Sequence, residues 1–173
     1  MLFRSASHWA YSYINALAAR GVINGYPDGN FHPEAQITRA DFVVMLSRLS
    51  GESLPEYDGR FKDVTADKYY AKAVTWAASA GITLGYGAGD FRPAALISRQ
   101  EMAAMLYRYA DYMKIALPEG TELSFSDSAS IADYARGPVA AMSLAGIING
   151  YPDGSFKPAG NASRAEEIGR AHV

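Results

Sequence analysis

The chain has 173 residues, and its 16 basic and 18 acidic side chains leave a formal net charge of -2. This balance argues against a dedicated nucleic-acid binder, which normally carries a basic excess. The lack of cysteine excludes disulfides, thiolate metal sites and a cysteine nucleophile. No apolar run approaches the roughly 18 residues that span a bilayer, and residues 1–10 lack the apolar stretch of a signal peptide. If the protein is exported, we expect its signal to lie outside this chain.

A segment rich in glycine and aromatic residues occurs three times. It reads GYPDGNFHP from Gly25, GYGAGDFRP from Gly85 and GYPDGSFKP from Gly150, so the copies start 60 and 65 residues apart. The flanking residues keep the same offsets, which indicates a repeat protein whose units pack on one another because one unit cannot bury its apolar residues alone. We therefore expect one structural domain. Its three copies are placed at residues 1–51, 61–114 and 125–173.

Each copy begins with a predicted helix. In copy one this helix runs roughly from His8 to Arg20, because apolar residues recur along one face at helical spacing. Gly21 follows, at the position where helices commonly end in a left-handed glycine. The other copies have the same stop at Gly81 and Gly146.

A turn and a second helix follow in every copy. In copy one, residues 27–29 read Pro-Asp-Gly and predict a tight turn, and Phe31 is expected to anchor the loop in the core. Thr38 begins the second helix as its N-cap, with Asp41 three residues later as in a capping box. The equivalent pairs are Ser98 with Glu101 and Ser163 with Glu166. The buried stripe of this helix is predicted at Phe42, Met45, Leu46 and Leu49.

The joins and both ends depart from the repeat. Segments 51–60 and 114–124 are predicted connectors. Each leads to a Phe-x-Asp start, at Phe61 and Phe125, and copy one has no clear counterpart, so we expect its natural beginning to be missing. In copy three, Gly169 and Arg170 fall where the other copies have apolar helix residues. We expect residues 168–173 to be truncated or non-native.

These features resemble the S-layer homology family. The resemblance rests on the loop from Gly21 to Pro33, on the Ile-Thr-Arg-Ala-Asp sequence from Ile37, and on their recurrence in three copies over roughly residues 8–166. It implies an all-α fold in which three helix–loop–helix repeats form a pseudo-threefold, three-pronged unit around a central helix bundle. It further implies a non-catalytic module whose grooves bind secondary cell-wall polysaccharide that ends in pyruvylated N-acetylmannosamine.

The resemblance also sets expectations for partners and location. Such a module belongs to a surface protein or exported enzyme in the same polypeptide and acts at the cell surface of Gram-positive-type bacteria. We expect no cofactor, no nucleic acid and no membrane insertion. A protein–protein repeat scaffold is the alternative. An enzyme is disfavoured because the three histidines do not recur together, and a calcium-dependent module because the Asp-Gly loop offers too few oxygen ligands.

Candidate ligand contacts cluster at the starts of the second helices. Each terminus offers free backbone N–H groups and the positive end of the helix dipole, and the adjacent arginine can grip a carboxylate with two hydrogen bonds. The residues concerned are Thr38, Ser98 and Ser163 with Arg39, Arg99 and Arg164. Alternatively, each arginine joins neighbouring copies. The spacing leaves both open, whereas the resemblance favours ligand contact for at least two of the three arginines.

The loops and the first helices supply further candidates. Three glycines permit unusual backbone geometry and a close ligand approach, although a turn requirement explains them equally well: Gly29, Gly89 and Gly154. Three tyrosines could present ring and hydroxyl to a sugar, although a loop aromatic more commonly packs in the core: Tyr26, Tyr86 and Tyr151. The aromatic residues that head the first helices are expected to be mainly structural, with groove lining as the alternative: Trp9, Tyr69 and Tyr134. Copy two has Gly87-Ala88 in place of Pro-Asp, so its loop should be looser and the grooves should differ in affinity.

Overall fold

The structure, a computed structural model, describes residues 10–168 of the chain. Within this range it contains six α-helices and no β-strand, so the prediction of an all-α fold is confirmed. The helices are α1 Tyr11–Ala19, α2 Arg39–Ser50, α3 Ala71–Ser79, α4 Arg99–Tyr112, α5 Asp133–Leu144 and α6 Arg164–Ile168. Each copy contributes two of them in sequence. Across the same residues, no helix combines the length and the apolar character that a membrane span requires.

The first helix of each copy ends before a left-handed glycine. These glycines are Gly21, Gly81 and Gly146, with φ of 71°, 72° and 68°. In copy one, the Gly21 N–H donates to the carbonyl of Ala18 at 3.0 Å. The N–H of Val22 donates to the carbonyl of Leu17 at 2.9 Å, which completes a Schellman motif. The predicted stop is confirmed, whereas the predicted helix start at His8 lies outside the described residues.

Side-chain caps begin the second helices, as the sequence predicts. Thr38 Oγ1 accepts a hydrogen bond from the Asp41 N–H at 3.1 Å. Before α4, the Ser98 N–H donates to the Glu101 carboxylate at 2.9 Å, and Ser98 Oγ in turn accepts from the Glu101 N–H, which gives a complete capping box. Copy three repeats these two bonds with Ser163 and Glu166.

The stripe predicted for α2 faces the core. Phe42 and Leu46 are fully buried and Met45 is nearly so, while Leu49 packs against the core from a partly buried position. The corresponding irregularity predicted for copy three, at positions 169 and 170, lies outside the described residues.

Buried phenylalanines pin the three loops to the core. They are Phe31, Phe91 and Phe156, all with no exposed surface, which confirms the anchoring role expected for Phe31. In copy two, the carboxylate of Asp63 accepts from the N–H groups of Phe91 at 2.8 Å and Arg92 at 2.6 Å. Arg92 has a φ of 59°, a conformation that costs energy for a residue with a Cβ. The Phe-x-Asp start therefore stabilises the strained end of its own loop, and Asp127 makes the same two bonds in copy three.

Each second helix packs against the first helix of the following copy. Within residues 10–168, α2 packs closely against α3 and α4 against α5, while the short α6 makes a smaller contact with α1, so the third copy contacts the first. Just before the second helices, a buried residue from each copy joins a ring of backbone hydrogen bonds. In this ring Ile37 donates to Ala162 at 3.2 Å, Ala162 to Ile97 at 2.9 Å, and Ile97 to Ile37 at 3.1 Å. The copies thus bury their apolar stripes against one another.

Removing the Asp63 carboxylate should destabilise the fold. Asp63→Ala leaves the N–H groups of Phe91 and Arg92 without their acceptor, and we expect a loss of about 2 kcal/mol in the free energy of unfolding. Urea denaturation followed by circular dichroism measures this loss. The matched control is Asp67→Ala, whose carboxylate contacts Thr65 and Lys68 at exposed positions. Equal losses in the two variants would contradict the role given to Asp63.

Candidate functional site

In the part of the chain that the structure describes, two equivalent grooves lie between the copies. The copy-one groove has a volume of about 280 Å³ and the copy-two groove about 270 Å³. Each is formed by the loop and second helix of its own copy, by the first arginine of the preceding copy's second helix, and by a tyrosine of the following copy. The copy-one groove is lined by residues that include Asn24, Tyr26, Asp41, Arg48, Tyr69 and Arg164. The equivalent residues of the copy-two groove are Leu84, Tyr86, Glu101, Arg108, Tyr134 and Arg39.

Arg39 joins copy one to copy two. Its Nε donates to the carbonyl of Phe91 at 3.0 Å, and its Nη1 lies 3.1 Å from the Glu101 carboxylate. The guanidinium carbon is 4.6 Å from the ring centre of Tyr86, within range of a cation–π interaction. Only 3% of the side chain is exposed, yet it lines the copy-two groove.

Arg99 joins copy two to copy three with equivalent contacts and one further hydrogen bond. Its Nε donates to the carbonyl of Phe156 at 2.8 Å, and its Nη2 to the carbonyl of Asn149 at 2.7 Å. Its Nη1 forms an ion pair with Glu166. This side chain is also 3% exposed.

Arg164 connects copy three to copy one with one difference. Its Nε donates to the carbonyl of Phe31 at 3.1 Å and its Nη2 to the carbonyl of Asn24 at 2.8 Å. Its guanidinium carbon lies 5.0 Å from the ring centre of Tyr26. Among the ion pairs of residues 10–168, none involves Arg164, and the side chain is partly exposed. The joining role weighed for the arginines is therefore seen at all three, and ligand contact by them remains a prediction.

The backbone N–H groups at the helix starts are already bonded, which differs from the sequence expectation. In α2, the N–H of Arg39 donates to Ala95 at 2.9 Å and that of Ala40 to Pro93 at 3.1 Å. The Thr38 hydroxyl accepts a hydrogen bond from the next N–H, that of Asp41. The start of α4 repeats this pattern with carbonyls of copy three. The reason is that the loop of the next copy supplies carbonyl oxygens where an anion would otherwise bind. Thr38, Ser98 and Ser163 act as caps here, and Ser163 also lines a separate cavity of about 460 Å³ beside Tyr151.

Tyr26 and Tyr86 line the two grooves and Tyr151 lines the separate cavity, so all three lie outside the core. Tyr26 is 43% exposed, and the hydroxyls of Tyr86 and Tyr151 donate to Glu101 and Glu166. Burial, followed by the hydrogen bond to the Glu101 carboxylate, raises the pKa of Tyr86 to about 12. The Tyr86 phenol therefore stays protonated at neutral pH as a donor beside Arg39. Contact of these rings with a sugar remains a prediction.

The carboxylate of Glu101 accepts hydrogen bonds from several donors. Burial alone would raise the pKa of this carboxyl, but hydrogen bonds from Tyr86 and Ser98 and the charge of Arg39 hold the pKa below its usual value. The group is therefore charged at neutral pH and pairs with Arg39.

The predicted loop glycines occupy turn positions. Gly29, Gly89 and Gly154 have φ between 76° and 79°, and a Cβ on any of them would meet no neighbouring atom. None of the three belongs to the lining of the two grooves, so the structure supplies a turn requirement and leaves ligand contact a prediction. The first glycine of the motif lines the grooves instead. At Gly85 a Cβ would collide with Phe61 and come within 2.8 Å of the Asp90 carbonyl.

The loop of copy two keeps its closure despite the loss of Pro-Asp. The Tyr86 N–H donates to Asp90 at 2.7 Å, as Tyr26 does to Asn30 at 2.8 Å in copy one. In copy one, the Asp28 carboxylate accepts from the Asn30 N–H at 2.9 Å and lies 2.6 Å from His32. Over residues 10–168, no group of three or more His, Asp or Glu side chains is arranged to hold a metal ion.

Sequence reasoning missed two arginines and undervalued two tyrosines. Arg48 and Arg108 lie seven residues after Asp41 and Glu101 on the groove-facing side of their helices. A polar pair at this helical spacing, repeated after 60 residues, was the available signal. The tyrosines expected to be mainly structural are Tyr69, which is 68% exposed, and Tyr134, which is 49% exposed, and both line grooves. Trp9 lies outside the described residues.

Comparison with known proteins matches almost the whole chain. The sequence model of the S-layer homology domain matches residues 5–43, 60–103 and 124–166. An amylopullulanase of Thermoanaerobacterium thermosulfurigenes is 39% identical over 92% of this chain, and exoglucanase XynX of Acetivibrio thermocellus is 37% identical over 92%. Cell surface glycoprotein 1 of Acetivibrio thermocellus is 31% identical over 86% of the chain. The chain spans only 8%, 15% and 7% of the lengths of these relatives.

Arg99 should contribute strongly to stability through its contacts with copy three. Arg99→Ala leaves Glu166 and two carbonyls without their donor, and we expect the free energy of unfolding to fall by about 3 kcal/mol. The control is Arg136→Ala, since this exposed side chain donates to a single carbonyl and should change stability by less than about 0.5 kcal/mol. Thermal and urea denaturation measure both variants. An unchanged stability of Arg99→Ala would refute the joining role.

Glu101 should make the stability depend on pH. Because its pKa is lower in the folded state than its ordinary value of 4.5, its contribution is complete above pH 4.5 and is lost as the pH falls through the folded-state pKa. The stability difference between the wild type and Glu101→Gln should therefore shrink from pH 7 to pH 3. Urea denaturation at both values tests this, with Glu119→Gln at an exposed position as the control. A difference that grows in acid would contradict the assigned direction.

Proposed function

Because the chain belongs to the S-layer homology domain family, we propose that it is a non-catalytic module that binds a cell-wall polysaccharide and so holds a surface protein at the cell wall. The same module is matched in an amylopullulanase, an exoglucanase and a cell surface glycoprotein. A shared attachment role fits this range of proteins better than a shared reaction. The enzyme portions of such relatives lie outside the region that this chain matches.

The proposed ligand is a polysaccharide that ends in pyruvylated N-acetylmannosamine. A pyruvate ketal places one carboxylate on a sugar ring, so its site needs a cation beside an aromatic or hydroxyl-bearing wall. The observation that carries the proposal is that both grooves provide this combination. Arg164 and Arg48 lie with Tyr26 and Tyr69 in the copy-one groove, and the copy-two groove repeats the set. Arginine pairs with carboxylates and tyrosine presents both ring and hydroxyl.

The proposal includes the arrangement of the copies. Residues 1–51, 61–114 and 125–173 would be repeats of one domain related by a pseudo-threefold axis, with three prongs around a central helix bundle. The cyclic order of helix contacts supports this arrangement. So does the hydrogen-bond ring of Ile37, Ile97 and Ala162, because each copy gives and receives one equivalent bond. Grooves between adjacent prongs follow from such an arrangement.

The module would act at the cell surface, joined in one polypeptide to a surface protein or an exported enzyme. A protein–protein repeat scaffold is the competing function. It would present a continuous apolar face, whereas each described groove combines apolar side chains with two arginines, two tyrosines and one carboxylate. Polysaccharide binding therefore suits these walls better.

Binding to purified cell-wall polymer should depend on the pyruvate group. We expect the chain to co-sediment with pyruvylated polymer and to lose most of this binding after mild acid removes the ketal, because the arginines then lack a carboxylate partner. Raising the salt concentration should weaken binding to the intact polymer, since exposed charge pairs are screened. Equal binding before and after removal of pyruvate would refute the proposed ligand.

A further inference from the structure

Resting on the proposed function, we infer that the copy-one groove is the tighter site for an anionic glycan end, and that the shorter carboxylate at position 41 sets this preference. Both grooves hold two arginines and one acidic residue. The difference therefore lies in how these charges are paired and not in their number.

In the copy-two groove, the charge of Arg39 is already paired with the carboxylate of Glu101. Glu101 Oε1 accepts from Arg39 Nη1 at 3.1 Å and from the Tyr86 hydroxyl. Its Oε2 accepts from the N–H and the hydroxyl of Ser98 at 2.9 Å and 2.7 Å. The extra methylene of glutamate lets one side chain cap the helix and reach the arginine together. A ligand carboxylate in this groove must compete with Glu101 for a side chain that is 3% exposed.

In the copy-one groove, the acidic residue Asp41 bonds to hydroxyl groups and not to an arginine of the described residues. Asp41 Oδ2 accepts from the Thr38 hydroxyl at 2.6 Å, and its Oδ1 accepts from the Tyr69 hydroxyl at 2.5 Å. Asp41 and Arg164 both line this groove, but within residues 10–168 no ion pair joins them. Among the described residues, Arg164 donates hydrogen bonds to two neutral carbonyls, those of Phe31 and Asn24. Its positive charge is left for an anionic ligand.

The rest of the wall adds to this preference. Arg48 is exposed in the copy-one groove, while the equivalent Arg108 is partly buried. Asn24 provides an amide where the copy-two groove has Leu84, which is 73% exposed. A carboxylate-bearing sugar therefore meets two accessible cations and a polar wall in copy one, and a paired cation beside an apolar side chain in copy two.

A nuclear magnetic resonance titration resolves the two grooves within one molecule. The probe is the methyl glycoside of pyruvylated N-acetylmannosamine, and the reporters are the amide signals of Gly25 and Gly85, which line the copy-one and copy-two grooves. We expect Gly25 to reach half-saturation at a probe concentration about fivefold lower than Gly85, the factor that corresponds to a partly exposed ion pair. The same glycoside without pyruvate should abolish this difference.

Two reciprocal variants test the cause. Asp41→Glu restores the length found at Glu101 and should weaken the Gly25 response about fivefold, whereas Glu101→Asp should strengthen the Gly85 response by a similar factor. Thermal denaturation checks that both variants stay folded, as the retained carboxylates predict. Equal or reversed affinities in the wild type, or an unchanged Gly25 response in Asp41→Glu, would overturn the inference while leaving the proposed function intact. A probe that shifts neither glycine would refute the proposed function itself.

Discussion

The arginine that begins each second helix donates to a carbonyl in the loop of the next copy, and this contact is made three times. The acceptors are the carbonyls of Phe91, Phe156 and Phe31, whose rings are fully buried. One side chain thus ties a helix start to an anchored loop across each boundary between copies. The walls of the grooves are these same loops, so the geometry of any bound ligand depends on the contact.

This contact also decides where an anion can bind. The N–H groups at the starts of α2 and α4 are bonded to carbonyls of the neighbouring copy, so the helix termini are not open to a ligand. A ligand can still contact the side of the second helix, where Arg48 or Arg108 lies one turn after apolar groove residues. It can also contact the arginine of the preceding copy that lines the same groove. The acidic residue at the capping position decides whether that arginine is paired, and this residue is Asp41 in one copy and Glu101 in the next.

The local structure could be predicted from the sequence because each signal is short-range. The left-handed Gly21, the Thr38 cap and the buried Phe31 each depend on a few neighbouring residues, and all three are found as expected. Contacts between copies could not be read in this way, because residues far apart in sequence meet there. The pairing of Arg39 with Glu101 joins residues 62 positions apart.

The same limit explains the misjudged parts of the site. The sequence placed free N–H groups at the helix starts, since it did not reveal that loop carbonyls of another copy reach them. The sequence also assigned Asp41 and Glu101 the same capping role. Glutamate is longer by one methylene, and the Glu101 carboxylate reaches Arg39, whereas the Asp41 carboxylate accepts from Thr38. Tyr69 looked structural as the residue before a helix, yet it closes the side of a groove built mainly by copy one.

A crystal structure of the chain soaked with the methyl glycoside of pyruvylated N-acetylmannosamine would show where the anionic sugar binds. We expect the sugar in the copy-one groove, with its carboxylate about 3 Å from a guanidinium nitrogen of Arg164 or Arg48 and its ring against Tyr26 or Tyr69. A sugar bound only outside the grooves, or with its carboxylate turned to solvent, would contradict it.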